Sequence, residues 1–129
     1  MKVLLQRVKK ASVEINNSIY SKIEKGLLIF IGVEKGDTEQ QADYLVQKIS
    51  KLRIFENEDG KMNKSVVDVN GEILVISQFT LCGNCAKGTR PSFDRSEMPK
   101  KANKLYEYFV NGIKELNITC KTGVFGAMM

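Results

Sequence analysis

The chain has 129 residues, of which 43% are hydrophobic and 27% are charged, and it carries a net charge of +5. This length suits one domain with a buried core, and no apolar run is long enough to span a membrane. The first residues also lack the pattern of a signal peptide, so we expect a cytoplasmic protein. The mildly basic balance suits an anionic partner such as RNA without specifying one.

The sequence contains no histidine, which excludes Ser-His-Asp and Cys-His relays and histidine-bearing zinc sites. It contains three cysteines. Cys82 and Cys85 form a single Cys-x-x-Cys pair, and Cys120 alone does not complete a zinc site. We therefore expect reduced thiols, no metal and no cofactor.

The first part of the sequence predicts a series of strands. Residues 3–8 alternate in polarity, and Arg7 on this strand is either a paired structural cation or a site residue. Residues 12–23 form two alternating stretches about an Asn-Asn pair, which is typical of a β-hairpin. Residues 27–33 are continuously apolar and predict a central strand that is covered on both faces.

A capped helix is predicted to follow this strand. Asp37 or Thr38 can accept hydrogen bonds from the first free amides, and apolar residues recur at helical spacing from Ala42 to Leu52. The acidic run at residues 56–60 then predicts a solvated turn, because its spacing is not that of a calcium loop.

The strongest local pattern is a second hairpin. Residues 65–69 and 72–76 flank an Asn-Gly pair, which favours a two-residue turn between antiparallel strands. The return strand would end at Ser77, where hydroxyl, amide, aromatic and cationic side chains begin. We regard residues 77–93 as the segment around which the chain is organised, because a rigid strand that ends in polar groups commonly presents chemistry.

The last elements complete a predicted fold class. Residues 96–99 indicate the start of a second helix, with Pro99 in its first turn and a broad apolar face as far as Leu116. Residues 118–121 predict a short strand. Together these elements predict a single compact α/β domain over residues 1–129, with a mainly antiparallel, barrel-like sheet and two packed helices.

The groups in residues 77–80 can support only some kinds of hydrolysis. Ser77 and Thr80 have no histidine base, and an unactivated hydroxyl is a poor nucleophile. An activated ester needs only positioning and donors to the developing oxyanion, which the Gln78 amide and nearby backbone amides can supply. The alternative is a structural role for both hydroxyls.

Cations and aromatic rings in the same segment suit a nucleic acid. Lys87 and Arg90 flank a glycine and could hold phosphates. Phe79 or Phe93 could stack on a base. The alternative for the cations is a solvated basic loop with no ligand.

Several motifs together resemble the D-aminoacyl-tRNA deacylases of the D-Tyr-tRNA deacylase type. The most specific are Ser77-Gln78-Phe79-Thr80-Leu81 and Lys87-Gly88-x-Arg90-Pro91-Ser92-Phe93. Further matches follow the family's order along the chain: Gln6-Arg7-Val8, Gly32-Val33-Glu34-Lys35-Gly36-Asp37, Leu52-Arg53-Ile54-Phe55, Gly60-Lys61-Met62-Asn63 and Thr122-Gly123-x-Phe125-Gly126-Ala127. The resemblance implies a homodimer of barrel-like α/β subunits that hydrolyses the ester of a D-amino acid, or glycine, on the 3′-terminal adenosine of tRNA.

The resemblance also implies residue roles. Thr80 would be a nucleophile or a donor, and the ribose 2′-hydroxyl of the substrate would replace a protein base. Ser77, Gln78 and Phe79 would line the adenosine and carbonyl end of the pocket, which Ala102, Phe125, Gly126 and Met129 would also face. Arg7 would support the site, and Lys87, Arg90 and Phe93 would contact the tRNA.

One departure from the family lies on the carboxyl-terminal side. The family continues past the residue that matches Met129 with a strand and a cis Gly-Pro pair, which enters the partner subunit's pocket and rejects L-amino acids. Neither Pro91 nor Pro99 follows a glycine, so we expect that segment to be absent and its addition to restore D/L discrimination. Two alternatives stay open: a non-catalytic nucleic-acid-binding module of the same fold, and a hydrolase of another small ester.

Overall fold

The computed structural model describes residues 1–129 and builds them into eight strands, two α-helices and one 3₁₀-helix. The strands are β1 (Lys2–Val8), β2 (Ala11–Ile15), β3 (Ser18–Ile23), β4 (Gly26–Gly32), β5 (Phe55–Glu56), β6 (Met62–Lys64), β7 (Glu72–Ser77) and β8 (Cys120–Thr122). The helices are α1 (Glu39–Lys51) and α2 (Pro99–Glu115), and the 3₁₀-helix spans Phe79–Cys82. Neither α-helix is long and apolar enough to cross a bilayer.

The main sheet has the strand order β1-β4-β7-β8. β1 is antiparallel to β4, whereas β4, β7 and β8 run parallel to one another. The two other pairs, β2–β3 and β5–β6, are separate antiparallel hairpins. The predicted α/β domain with two helices packed on a sheet is confirmed, but the sheet is open because its edge strands β1 and β8 do not pair with each other.

Side chains alternate between the two faces of this sheet, and each face is covered. The helices cover the face that carries Leu27, Ile29, Ile31, Ile73 and Val75, where Phe109 is fully buried. The β2–β3 hairpin covers the opposite face, where Val13 and Ile23 pack on Leu74 and Ile76. Burial of each such aliphatic side chain stabilises the fold by about 2 kcal/mol. Central strand β4 is thus covered on both sides, as its apolar run predicts.

The predicted turns and caps are confirmed where they depend on local chemistry. Thr38 caps α1 in a capping box, in which Gln40 N donates to Thr38 Oγ1 at 3.3 Å and Thr38 N donates to Gln41 Oε1 at 2.7 Å. Asn16 and Asn17 adopt φ of 52° and 63°, as a tight hairpin turn between β2 and β3 requires. Pro99 is the first residue of α2.

The predicted hairpin between residues 65–69 and β7 is wrong. Residues 66–70 form a turn, in which Val69 N donates to the carbonyl of Ser65 at 3.2 Å. Ser65 N donates to Asp68 Oδ2 and Asp68 N donates to Ser65 Oγ, so each residue caps the other. These bonds also hold the pKa of Asp68 below its usual value. The turn leaves β7 free to pair in parallel with β4 and β8.

Candidate active site at the carboxyl edge of the sheet

Three parallel strands end at the same edge of the sheet, which we call the carboxyl edge. β4 ends at Gly32, β7 ends at Ser77, and β8 ends at Thr122. In open α/β sheets, ligands bind outside the carboxyl ends of the strands. The sequence-predicted residues Ser77 and Gln78 lie at this edge, and the segment 123–126 follows β8 there.

The 3₁₀-helix places Thr80 on the surface of the carboxyl edge. Gln78 N donates to the carbonyl of Ile31 at 2.8 Å, which ties the start of the helix to β4. The amides of Phe79 and Thr80 stand at the head of the helix, where no intrahelical acceptor is available. They are therefore suited to an incoming oxyanion.

The hydrogen-bond partner of the Thr80 hydroxyl is a side-chain amide, which is not a base. Gln78 Nε2 donates to Thr80 Oγ1, and this is the one side-chain hydrogen bond that the hydroxyl makes. An amide nitrogen cannot accept the hydroxyl proton. Thr80 is exposed, and no carboxylate or lysine contacts its hydroxyl. The arrangement leaves Thr80 able to donate a hydrogen bond but does not activate it as a nucleophile.

Two aromatic rings stand beside this hydroxyl. Phe79 and Phe93 meet edge to face, with ring centroids 5.3 Å apart. Phe79 is 57% exposed although it is one of the largest apolar side chains. Ser96 Oγ donates to the carbonyl of Phe79 at 3.3 Å, so this hydrogen bond connects the segment after the loop to the backbone of Phe79. An exposed, supported aromatic pair can stack on a planar ligand.

The loop between these rings carries the predicted phosphate-binding cations. Asn84 and Ser92 close the loop by exchanging backbone hydrogen bonds of 2.8 and 2.9 Å. Lys87 and Arg90 lie beyond this closure, are exposed and form no ion pair. The loop therefore presents two free cations next to the ring pair.

The other residues that the sequence predicts for the pocket lie on α2 and in the segment after β8. Ala102 is partly buried in the first turns of α2. Phe125 is partly buried, and its ring lies 6.0 Å from that of Tyr106 on α2. Met129 packs over Gly123, where a Cβ atom would overlap its sulfur. Gly126 has φ of 76° and stays open to solvent.

Tyr106 links these segments and was not singled out from the sequence as a site residue. Its hydroxyl donates to the carbonyl of Val75 at 3.1 Å, and its burial raises the pKa to about 12. The phenol therefore stays protonated and keeps α2 attached to β7 near neutral pH. Its helical spacing marks it as a core residue, so no sequence signal separates this role from ordinary packing.

Arg7 is not brought to the carboxyl edge within this chain. Arg7 pairs with Leu27 of β4, whereas Ser77 pairs with Ile31. Four strand residues separate the two pairs, which corresponds to about 13 Å along the sheet. Arg7 is exposed and forms no ion pair.

The cysteines differ in their environment. Cys82 is buried and its Sγ donates to the carbonyl of Val33 at 3.6 Å, while burial raises the pKa of its thiol. Burial also raises the pKa of Cys120 to about 11, and Cys85 is exposed on the loop. No three His, Cys, Asp or Glu side chains come together as a metal-ligand set.

Two surface clefts lie away from the carboxyl edge. One of about 450 Å³ lies on the outer face of α1 beside Tyr44 and Lys48. The other, of about 310 Å³, lies at the opposite end of the sheet beside Asn70 and Asn117. The carboxyl edge is a better candidate for the active site than either cleft, because it carries the hydroxyl, the amides and the aromatic rings together.

Gly32 allows the 3₁₀-helix to pack directly on β4. A Cβ atom at Gly32 would lie 3.1 Å from Cys82 Sγ, the Gln78 carbonyl oxygen and Leu81 Cβ. We expect Gly32→Ala to push the helix outward by a few tenths of an ångström and to lower kcat/KM about tenfold, because catalytic groups tolerate little misplacement. Steady-state deacylation and thermal unfolding measure the two effects.

A matched control for Gly32→Ala is Gly112→Ala on α2. A Cβ atom there would also meet its nearest neighbour, Val46 Cγ2, at 3.1 Å, but on the helix–helix contact. We expect this variant to keep full activity. Equal losses of activity in both variants would mean that the Gly32 effect is a general loss of stability.

The fold is a small α/β domain, and its carboxyl edge carries amide, hydroxyl, aromatic and cationic groups. Groups of these kinds can bind a substrate that contains phosphates and an aromatic ring. The family model described as D-Tyr-tRNA(Tyr) deacylase matches residues 4–129. The chain belongs to this family, which consists of enzymes.

Curated relatives match over the whole chain. A D-aminoacyl-tRNA deacylase of Thermosipho melanesiensis is 55% identical, and the match covers 100% of this chain and 87% of the relative. A D-aminoacyl-tRNA deacylase of Aquifex aeolicus is 54% identical, with the same two coverages of 100% and 87%.

Solved structures share the fold. One is described as c-Myc DNA Unwinding Element Binding Protein, with a TM-score of 0.92 and 36% identity over 99% of this chain and 87% of that one. Another is described as a probable eukaryotic D-amino acid tRNA deacylase, with a TM-score of 0.80. At 17% identity, over 98% of this chain and 89% of that one, it supports the fold alone.

Proposed function

We propose that this protein hydrolyses the ester bond of D-aminoacyl-tRNA and releases the free D-amino acid and the tRNA. The family match over residues 4–129 carries this proposal. The carboxyl edge supports it, because Phe79 and Thr80 are exposed there beside the partly buried Ser77 and Gln78. An aminoacyl ester is already activated, so positioning and oxyanion stabilisation account for its hydrolysis. Glycine on a mischarged tRNA is a second substrate of the same chemistry.

We further propose that the substrate supplies the group that the protein lacks. The chain has no histidine, and the partner of the Thr80 hydroxyl is the Gln78 amide. In this mechanism the ribose 2′-hydroxyl takes part in catalysis, while Gln78 holds Thr80 in position. Thr80 and the amides at the head of the 3₁₀-helix donate to the carbonyl oxygen as negative charge develops on it. Ser77 positions the start of this segment.

The binding roles follow the same geometry. Phe79 faces the terminal adenosine, and Lys87, Arg90 and Phe93 contact the tRNA next to it. The rest of the pocket is formed by Ala102, Phe125, Gly126 and Met129. We propose that the functional unit is a homodimer. We assign Arg7 no contact with this site within one chain, because Arg7 lies about 13 Å along the sheet from the carboxyl edge.

A deacylation assay with three esters tests the function. We expect turnover of D-Tyr-tRNA, and no comparable turnover of free D-Tyr ethyl ester, because the free ester lacks the adenosine and the 2′-hydroxyl. Turnover of only the free ester would indicate a different small-ester hydrolase. Binding of the tRNA without turnover would overturn the enzymatic proposal.

The same assay addresses chiral selection. L-Tyr-tRNA is compared with D-Tyr-tRNA for this 129-residue chain and for a chain extended at its carboxyl terminus with a strand and a Gly-Pro pair. We propose that discrimination between the enantiomers increases in the extended chain. If both chains treat the enantiomers alike, the assignment of chiral rejection to that segment is wrong.

A further inference from the structure

Residues 83–104 form one of two strongly basic segments of the chain. Residues 83–104 contain six cations, Lys87, Arg90, Arg95, Lys100, Lys101 and Lys104, and two carboxylates, Asp94 and Glu97. These 22 residues therefore hold a net charge of +4, the same as residues 2–10, which contain Lys2, Arg7, Lys9 and Lys10 and no carboxylate.

The segment of residues 83–104 lies beside the candidate active site. It contains the loop beside the Phe79–Phe93 ring pair and then runs back along the ends of the strands. Lys35 N donates to the carbonyl of Arg95 at 2.8 Å, and Glu97 N donates to the carbonyl of Val33 at 3.0 Å. The segment then enters α2, whose Ala102 is among the proposed pocket residues. These backbone contacts hold the segment close to the end of β4, beside the candidate active site.

Most of this charge is not neutralised within the protein. Lys101 pairs with Glu97 at 3.3 Å, and the other five cations of the segment form no ion pair. The first turn of α2 has no acidic residue but carries Lys100 and Lys101, where the helix dipole disfavours cations. Helix stability therefore does not explain the presence of Lys100, which has no ion pair.

We propose that the basic surface, defined as Lys87, Arg90, Arg95, Lys100 and Lys104, binds backbone phosphates of the tRNA acceptor stem. This inference rests on the proposed function and extends it from the terminal nucleotide to the duplex behind it. Lys100 and Lys104 lie on the exposed side of α2, one turn and about 6 Å apart.

Contacts of this kind position an RNA without reading its sequence. Phosphate contacts by lysine and arginine set register and orientation, and they make affinity strongly dependent on salt. A-form stems are recognised mainly by shape and backbone. We therefore expect the basic surface to serve tRNAs of different sequence, as an editing enzyme with several substrates requires.

The double variant Lys100→Gln/Lys104→Gln tests the basic surface. Its substrates are a D-tyrosyl minihelix that reproduces the acceptor stem and D-tyrosyl-adenosine, which has no stem. KM for the minihelix is measured at about 50 and at about 200 mM salt. We expect the ratio of the two KM values to be about tenfold smaller in the variant than in the wild type, since two phosphate contacts are lost. The effect on D-tyrosyl-adenosine is expected to be much smaller than the effect on the minihelix.

A matched control is Lys9→Gln/Lys10→Gln, which removes the same charge. Lys9 and Lys10 are exposed, form no ion pair and lie between β1 and β2, at the opposite end of the sheet. We expect this variant to retain the wild-type salt dependence. Thermal unfolding of both variants verifies that they are folded.

The outcomes separate this inference from the proposed function. If the wild type hydrolyses neither ester, the proposed function fails. If it hydrolyses both but the two variants show the same salt dependence, the basic surface is wrong. A DNA hairpin of the same stem sequence and the RNA minihelix without an amino acid are compared as competitors. If the two inhibit hydrolysis equally well, the assignment to an RNA stem is wrong.

Discussion

A D-aminoacyl-tRNA whose terminal adenosine lacks the free 2′-hydroxyl is expected to be hydrolysed at least about 100-fold more slowly than the ribose form, the usual minimum effect of a general acid or base. The reason lies at the carboxyl edge. The Thr80 hydroxyl contacts the Gln78 amide, which cannot take a proton, and the chain has no histidine. In the proposed mechanism, the substrate's own hydroxyl takes part in the proton transfer.

The measurement is single-turnover hydrolysis of the two esters at saturating protein. The uncatalysed rate of each ester is measured in parallel and subtracted, because the 2′-hydroxyl also affects spontaneous hydrolysis. We expect the deoxy substrate to compete normally for binding, so that the loss appears in the chemical step. Equal rates for the two esters would show that the protein itself supplies the base, and Thr80 would have to be reconsidered as a nucleophile.

Gly26→Ala is expected to destabilise the protein by about 3 kcal/mol or more, at the upper end of what overpacking costs. Gly26 begins β4 and pairs with Glu72 of β7. A Cβ atom at this position would overlap the carbonyl oxygen of Glu72 and lie 2.6 Å from its carbonyl carbon and amide nitrogen. These are backbone atoms of a neighbouring central strand, so they cannot move aside as a side chain can.

Urea unfolding of Gly26→Ala measures this loss, and Gly60→Ala is the matched control. Gly60 has φ of 76° and no atom within 4 Å of its Cβ position, so only the left-handed backbone is strained. That strain costs about 1 to 2 kcal/mol. If Gly26→Ala is no less stable than Gly60→Ala, the close approach of β4 and β7 does not constrain the fold.

Local chemistry predicted much of this fold from the sequence. Thr38 begins a helix with its own capping box, and the Asn16–Asn17 pair adopts the positive φ values that its hairpin needs. The apolar run of β4 predicted burial on both faces, and this is confirmed. Each of these signals lies within a few residues of the feature that it specifies.

Pairing between distant segments could not be predicted in the same way. Val66, Val67 and Val69 favour a strand by composition, but the Ser65–Asp68 caps form a turn instead. The true partners of β7 are β4 and β8, which are far from it in the chain. The contact of Gly26 with Glu72 follows from that pairing and has no local signal.

The site was predicted unevenly for a similar reason. Ser77, Gln78, Phe79 and Thr80 are adjacent in sequence, so their proximity needs no tertiary information. That Phe125 and Ala102 belong to the same pocket is a prediction from family resemblance, because no periodicity relates residues so far apart. Gly32 shows how a residue with no side-chain chemistry can hold the site through close packing, which becomes visible only when the 3₁₀-helix is seen against β4.

The contrasting environments of the three thiols make the protein suitable for fluorophore labelling without redesign. Thiolates react with maleimides, whereas burial and raised pKa keep Cys82 and Cys120 protonated near neutral pH. A dye added under those conditions attaches to Cys85, on the loop that also carries Lys87 and Arg90. Its emission would then report the arrival of a nucleic acid in real time, independently of any bond cleavage.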